Sequence, residues 1–267
     1  MSQKLETKLS AGRSDLDSSA VSVVTPAYNA CADIERTVRS VSEQTLPVLE
    51  HIIVDDGSTD GTAEVLERLQ DEHPHLTVVR QGNLGAAAAR NRAIERCQGR
   101  FIAFLDSDDE WGSSKLARQI AFMQETGTLF SYGDYMRRDQ RSGVILGTVL
   151  APDQLSHSDF LKGCPIGCLT VAYDQNSLGK CFMPNVRRGH DWGLWLALTR
   201  DGVVARRYPG VEAVYSVQAH SLSTAKLRKA ADIYRIYRNQ ECLGWSRSIR
   251  LLGAHVLNSL RGYRNGN

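Results

Sequence analysis

From Val21 to about residue 125 the apolar residues switch repeatedly between two spacings. Residues 21–25 are a compact β-type run closed by Pro26, and residues 51–54, 76–79 and 101–105 repeat the theme. Between these runs the apolar positions fall at helical intervals. Ile34, Val38 and Val41 mark a helix over 33–44 with Asp33 suited to cap its start; Val65, Leu66 and Leu69 mark a second over 61–70. An alanine-rich helix is expected over 85–97, and another over 115–125. The run at 101–105 is apolar throughout, which suits a strand covered on both faces. Strands alternating with helices of this length predict an α/β domain, a mostly parallel doubly wound sheet with helices on both faces and right-handed crossovers.

Sheets of this kind bind ligands beyond the carboxyl ends of their strands, so the segment following each strand carries the functional reading. The four segments are Pro26-Ala27-Tyr28-Asn29, then Asp55-Asp56-Gly57-Ser58-Thr59-Asp60-Gly61, then Gly82-Asn83-Leu84-Gly85, and Asp106-Ser107-Asp108-Asp109. Polar, turn-forming and acidic residues thus converge on one rim. In an extended segment positions i and i+2 face the same way, so Asp106 and Asp108 project together while Asp109 turns aside. Two carboxylates on one face repel unless a cation or proton lies between them, and hard divalent ions take such oxygens together with phosphate. Gly57 permits a tight turn, with Ser58 or Thr59 available to cap the next helix. Asp55 and Asp56 can also accept hydrogen bonds from a base or ribose. Arg90 is available to a diphosphate or to one of the aspartates.

Composition narrows the classes. The 267 residues are 42% hydrophobic and 23% charged, enough apolar material for a large core and too much for a disordered chain. Lys+Arg 32 against Asp+Glu 30 leaves +2, which does not make the whole molecule a nucleic-acid binder. No run approaches the roughly 18 apolar residues of a membrane span. Residues 1–20 are polar, lack an apolar signal region, and read as a flexible leader; the expected location is cytoplasmic. Six cysteines lie scattered, and Cys164 and Cys168 form a lone C-x-x-x-C, so the thiols are expected to be reduced and metal-free.

The four segments in this order resemble the family 2 glycosyltransferases: VSVVTPAYN (21–29), IVDDGSTDG (53–61), NLGAAAARN (83–91) and FLDSDD (104–109). The resemblance is dense over about 20–125, and the chain is similar to bacterial capsule, O-antigen and teichuronic-acid-type enzymes. It implies a GT-A fold, an inverting mechanism, a nucleoside diphosphate sugar (most often UDP-linked) as donor, and Mn²⁺ or Mg²⁺ as cofactor. The implied donor site comprises Pro26, Ala27, Tyr28, Asn29, Asp55, Asp56, Asn83, Gly85, Arg90, Asp106, Ser107 and Asp108. Of these, Asp108 and Asp106 are the implied metal ligands. On this reading 21–125 is the donor half, 126–224 the acceptor half of the same domain, and 225–267 a basic helical tail; the interval 126–186 carries no readable signature.

Further on, HDWGLWL (190–196) resembles the family's acidic-pair motif with His190 in place of the usual Glu. Asp191 is then the expected general base, taking the proton of the acceptor hydroxyl as that oxygen attacks the anomeric carbon. His190 and Trp192 are the expected acceptor contacts, while Trp195 is expected in the core. The segment 215–223 matches the family's late motif imperfectly, since Ser216 replaces an Arg and Gln218 a His; His220 is the candidate third metal ligand. From Lys226 onward nine cations face only Asp232 and Glu241, interleaved with apolar residues at three- and four-residue spacing. A basic amphipathic helix of this type suits an anionic membrane surface, so the enzyme is expected to lie peripherally on the cytoplasmic face of the inner membrane. The expected acceptor is a glycan hydroxyl on a lipid-linked cell-surface polysaccharide intermediate; nucleic acid is not an expected partner. A non-catalytic nucleotide-sugar-binding scaffold is the alternative. A dehydrogenase is excluded because no Gly-x-Gly-x-x-Gly turn follows the first strand, and a nucleotidyltransferase because that position lacks a basic glycine-rich loop.

Overall fold

A computed structural model describes residues 18–217 and 224–262 of the chain. Strands β1 (Val21–Ala27), β2 (Glu50–Asp55), β3 (Leu76–Arg80) and β4 (Phe101–Phe104) coincide with the four predicted runs, and pair in parallel in the order β3-β2-β1-β4. The chain steps outward from β1 through β2 to β3 and then crosses back for β4. The strand order therefore reverses between β1 and β4, which opens a crevice at their carboxyl ends. Helices α1 (Ile34–Ser42), α2 (Thr62–Glu72), α3 (Ala86–Arg96) and α4 (Lys115–Thr126) fill the crossovers. Ile34 and Val38 of α1 and Leu66 and Leu69 of α2 bury against Ile53, while α3 buries only Ala87, Ala89, Ala93 and Ile94 of its apolar face. Such small side chains let α3 lie close to β1 and β2 and carry Arg90 to the rim.

Beyond β4 the parallel order breaks. Strand β6 (Phe130–Tyr132) pairs in parallel with β11 (Ala205–Arg207), but β10 (Ala172–Asp174) runs antiparallel between β4 and β6, and β9 (Gln154–Leu155) antiparallel along the edge. The doubly wound expectation thus holds for the first half and becomes a mixed sheet of eight strands in the second. A second sheet, unforeseen, joins β5 (Glu110–Trp111), β12 (Ala213–Val217), β7 (Tyr135–Asp139) and β8 (Ile145–Val149) in the order β5-β12-β7-β8. Its edge strand β5 begins directly after Asp109, so this sheet holds the acidic loop from behind. Two single-turn helices, α5 (His157–Phe160) and α6 (Gln175–Leu178), precede α7 (His190–Thr199).

Helix α7 is apolar all round and is accordingly interior. Trp195 packs its ring 5.6 Å from Phe104 and 5.4 Å from Phe130, confirming its place in the core. Helix α8 (Thr224–Arg235) runs on into a π-helical turn at Ile236–Gln240, and α9 (Trp245–Gly262) closes the described chain. Ile233, Ile236 and Tyr237 are buried in the main core, so the first part of the basic segment is structural rather than a free tail.

One buried group gives the fold a pH signature. His51, wholly enclosed on β2, joins its Nε2 to Thr25 Oγ1 at 2.9 Å. Burial, reinforced by the neighbouring His75 and His73, drops its pKa to about 3 from the usual 6.5. The unfolded chain therefore binds a proton between these values that the folded chain refuses, and stability present above about pH 6.5 drains away as pH falls toward 3. His51→Gln is expected to flatten the acid side of a Tm-versus-pH curve relative to wild type; a parallel fall in both proteins would remove His51 as its source.

Candidate active site

The segments after β1 and β4, with the start of α3, enclose a cleft of about 220 Å³ lined by Pro26, Ala27, Tyr28, Asp56, Arg90, Asp106, Ser107 and Asp108, together with Ala86. Eight of the expected donor residues thus meet in one place. Ala86, the first residue of α3, escaped the sequence reading because an alanine carries no chemical signal. Its position places a helix N-terminus, with its free N–H groups and positive dipole end, against the cleft.

Asn29, Asp55, Asn83 and Gly85 do not line this cleft; they hold its wall. Asn29, at φ 50°, accepts the Thr59 N–H on Oδ1 at 2.9 Å, while its own N–H reaches Ser58 Oγ. Asp55 accepts the N–H and hydroxyl of Ser58 on one oxygen. Asp56 turns the other way: it accepts Gln81 Nε2 at 2.7 Å and the N–H groups of Leu84 and Gly85, each at 2.8 Å. The acidic pair therefore braces two loops in opposite directions. Asp60, not Ser58 or Thr59, takes the Thr62 N–H at the start of α2, which corrects the expected cap. Gly57 has φ +79°, and a Cβ there would stand 3.1 Å from Asn83 N, so the turn requires glycine. Asp33 likewise does not cap α1; it binds Arg36 at 2.8 Å and Gln140 at 2.6 Å.

At the end of β4, Asp109 does turn aside. It is buried, and accepts the Ser216 N–H of β12 at 2.8 Å. Thr37 donates to the Asp109 carbonyl and Arg36 to that of Asp108, so α1 fixes the loop from a second side. The sequence reading missed both, since a backbone-directed Thr or Arg on a helix looks like any polar position. Asp106 and Asp108 stay half-buried on the cleft. Burial and then the charge of Asp106 push the Asp108 carboxyl up to about 6; burial, Asp106 and Asp108 push Asp109 up to about 9. The loop thus crowds three carboxyl groups whose mutual repulsion favours protonation, and a divalent cation relieves repulsion of that kind. Among the described residues no three His, Cys, Asp or Glu converge into a closed metal cage. A two-carboxylate site leaves most of an octahedral shell to diphosphate and water, as Mg²⁺ and Mn²⁺ favour. His220 lies outside the described residues.

Arg90 connects this loop to α7. Nearly sealed from solvent, it forms an ion pair with Asp106 and donates through Nη1 to His190 Nε2 at 2.7 Å. His190 therefore accepts at Nε2. Burial followed by the adjacent guanidinium lowers its pKa, keeping the ring neutral. Burial works most strongly against the charge of Arg90, but Asp106, Cys168 and Asp191 together overcome burial and raise its pKa. The next residue in the chain, Asn91, clamps Met183 in both directions, at 2.9 and 2.8 Å. Asp191 follows His190 in the first turn of α7, within electrostatic reach of Arg90. Trp192 departs from expectation: its ring packs on Tyr237 and His255 and its indole donates to the Phe160 carbonyl at 2.7 Å, so it is a core residue and offers no face to an acceptor. Among the described residues no disulfide joins any of the cysteines.

The Arg90 bridge makes a prediction. A lysine cannot reach both partners with one planar fork, so Arg90→Lys is expected to lose about 1–3 kcal/mol, the range for leaving a buried partner unsatisfied. His190→Gln, which keeps an acceptor oxygen, should stay within about 1 kcal/mol of wild type. Thermal unfolding of the two variants checks both; equal losses would dismiss the bridge as a support for α7.

A parallel sheet with its crevice at the β1/β4 reversal, floored by an acidic loop, is the frame of a glycosyltransferase of the GT-A type. The chain belongs to the family 2 glycosyltransferases. The family model described as glycosyl transferase family 2 matches residues 22–154. The chain is 40% identical over 243 residues to a Bacillus subtilis protein named "Putative teichuronic acid biosynthesis glycosyltransferase TuaG", covering 90% of this chain and 96% of that one. It is 36% identical over 209 residues to WfaP of Escherichia coli, a UDP-Glc:α-D-GlcNAc-diphosphoundecaprenol β-1,3-glucosyltransferase, covering 78% of this chain and 82% of that one. Among solved structures, S. aureus TarS with UDP superposes with a TM-score of 0.63 at 18% identity, covering 87% of this chain and 69% of that one. The mannosyltransferase PcManGT of Pyrobaculum calidifontis, with GDP-Man and Mn²⁺, gives 0.64 at 22% identity, covering 88% and 68%.

Proposed function

We propose that the chain is an inverting glycosyltransferase that moves a sugar from a UDP-sugar to a hydroxyl of a lipid-linked polysaccharide intermediate at the cytoplasmic face of the membrane. The observation that carries this reading is the placement of Asp106 and Asp108 opposite the Pro26–Tyr28 wall, in a cleft headed by the N-terminus of α3. Tyr28, exposed at the rim, offers a face to the base. Asp106 and Asp108 would hold Mn²⁺ or Mg²⁺, which when bound neutralises the departing diphosphate. The N-terminus of α3 adds fixed donors for the same phosphate oxygens. Asp191 holds the position of a base: a carboxylate at a helix start, tied through its neighbour His190 and Arg90 to the donor loop. It takes the acceptor proton as the new glycosidic bond forms and the bond to the diphosphate breaks. Relatives that act on diphosphoundecaprenol-linked GlcNAc support the acceptor class.

The test is nucleotide-dependent stabilisation measured with a panel of nucleotide sugars, with and without Mn²⁺. UDP-linked donors with metal are expected to raise Tm and to be slowly hydrolysed without acceptor. Equal stabilisation by every nucleotide irrespective of metal would refute the donor assignment.

A further inference from the structure

We infer that helix α9 seats the enzyme on an anionic lipid surface through one outward face. The inference rests on the lipid-linked acceptor reading above only for its purpose, because the surface itself is visible without it. At 3.6 residues per turn α9 divides into three arcs. Ser248 and His255 point inward and are buried, with His255 packed on the Trp192 ring at 5.1 Å. On the outward arc Trp245, Ile249 and Leu257 are 68%, 54% and 57% exposed, spread over about 120° of the wheel. Arg247 and Arg250, both exposed, border that arc, with Arg238 exposed on the preceding turn.

A soluble helix does not need an outward Trp-Ile-Leu arc, and no described residue covers it. Charge selects the occupant. The only two acids from Lys226 onward, Asp232 and Glu241, are buried and already paired, Asp232 with Arg235 and Glu241 with Arg200 and His157. No acid within this stretch therefore offsets the arginines at the arc's edge. Apolar residues with an indole at the boundary and cations beside them fit a bilayer interface with anionic headgroups. No helix among the described residues is long and apolar enough to cross a membrane, so the contact is one of lying on the surface. The seat is also tied to the candidate site. Helix α9 packs through His255 on Trp192, and Gln240 of the turn before it donates to the Gly193 carbonyl at 2.6 Å, both on α7, the helix that carries Asp191 in its first turn. The lipid-facing helix and the acceptor end of the site are thus joined by direct contact.

The molecule supplies its own reporter. Of its four tryptophans, Trp111, Trp192 and Trp195 are buried and Trp245 alone is exposed. The purified full chain is mixed with vesicles of phosphatidylcholine alone or with an equimolar mixture of phosphatidylcholine and phosphatidylglycerol. Co-flotation and a blue shift of tryptophan emission are expected with the mixture and not with phosphatidylcholine alone. Trp245→Phe should still float but lose the shift. Arg247→Glu/Arg250→Glu should bind the mixture at least about thirtyfold more weakly, from roughly 1 kcal/mol per basic residue. Its Tm should stay at the wild-type value, since neither side chain packs inward. Flotation with unmoved emission, or equal binding to both vesicles, or none, would overturn the inference. So would concentration-dependent self-association abolished by Trp245→Ser, which would make the face a contact between two copies. Metal-dependent donor hydrolysis in the same samples tests the sugar-transfer reading separately: its absence with flotation intact sinks that reading and leaves the lipid seat standing.

Discussion

Asp191→Asn is expected to reduce sugar transfer by about 10²–10⁴-fold, the usual contribution of a positioned general base, while UDP-sugar affinity stays close to wild type. The amide keeps the size of the side chain and its place in the first turn of α7, but cannot take a proton. The donor cleft and Asp191 sit on different halves of the molecule, bridged through Arg90 and His190. The loss should therefore appear in kcat with little change in donor Kd, read by steady-state transfer and by calorimetric titration of the nucleotide. An Asn variant turning over at the wild-type rate would remove Asp191 from the chemistry.

Asp108→Ala is expected to act at the opposite end. An ion pair about 4 Å apart in an effective dielectric near 20 gains about 4 kcal/mol, so removing one carboxylate from a divalent site should weaken metal-dependent nucleotide binding by one to three orders of magnitude. Transfer should disappear with it. The fold should survive, because Asp109, not Asp108, carries the buried bond to β12. The measurable sign is a UDP-induced rise in Tm that wild type shows with Mn²⁺ and the variant does not. A variant that kept the full Mn²⁺-dependent rise would show that Asp108 does not hold the cation.

The two expectations differ in how legible they were. The donor rim could be read because each of its segments follows a strand, and local spacing alone brings strand ends together in a parallel sheet. Asp106 and Asp108 share a face for the same period-two reason that made β4 recognisable. The second half resisted reading because its order is non-local. Strand β10 has three residues and pairs antiparallel between strands far from it in sequence, and β5 has two. No periodicity survives in elements that short. Trp192 was misplaced for a related reason. An aromatic residue beside a carboxylate expected to be catalytic suggests a sugar platform, but α7 is buried along most of its length, and the helices that cover it come much later in the chain. Asp55 and Asp56 were read for their chemistry, whereas in the fold they are also the fasteners between loops.

Those fasteners have a consequence for how such enzymes diversify. The donor loops are laced to one another, Asn29 to Thr59 and Asp56 to Gly85. From the loop and helix that carry Asp109, Arg90 and Asn91, side-chain bonds pass to Ser216, His190, Met183 and Lys180 of the second half, while β10 and β12 pair with β4 and β5. A recombinant that exchanges everything after residue 126 for the matching stretch of a relative should inherit that relative's choice of acceptor while keeping its own nucleotide preference, provided those anchor points and strand pairings are carried across.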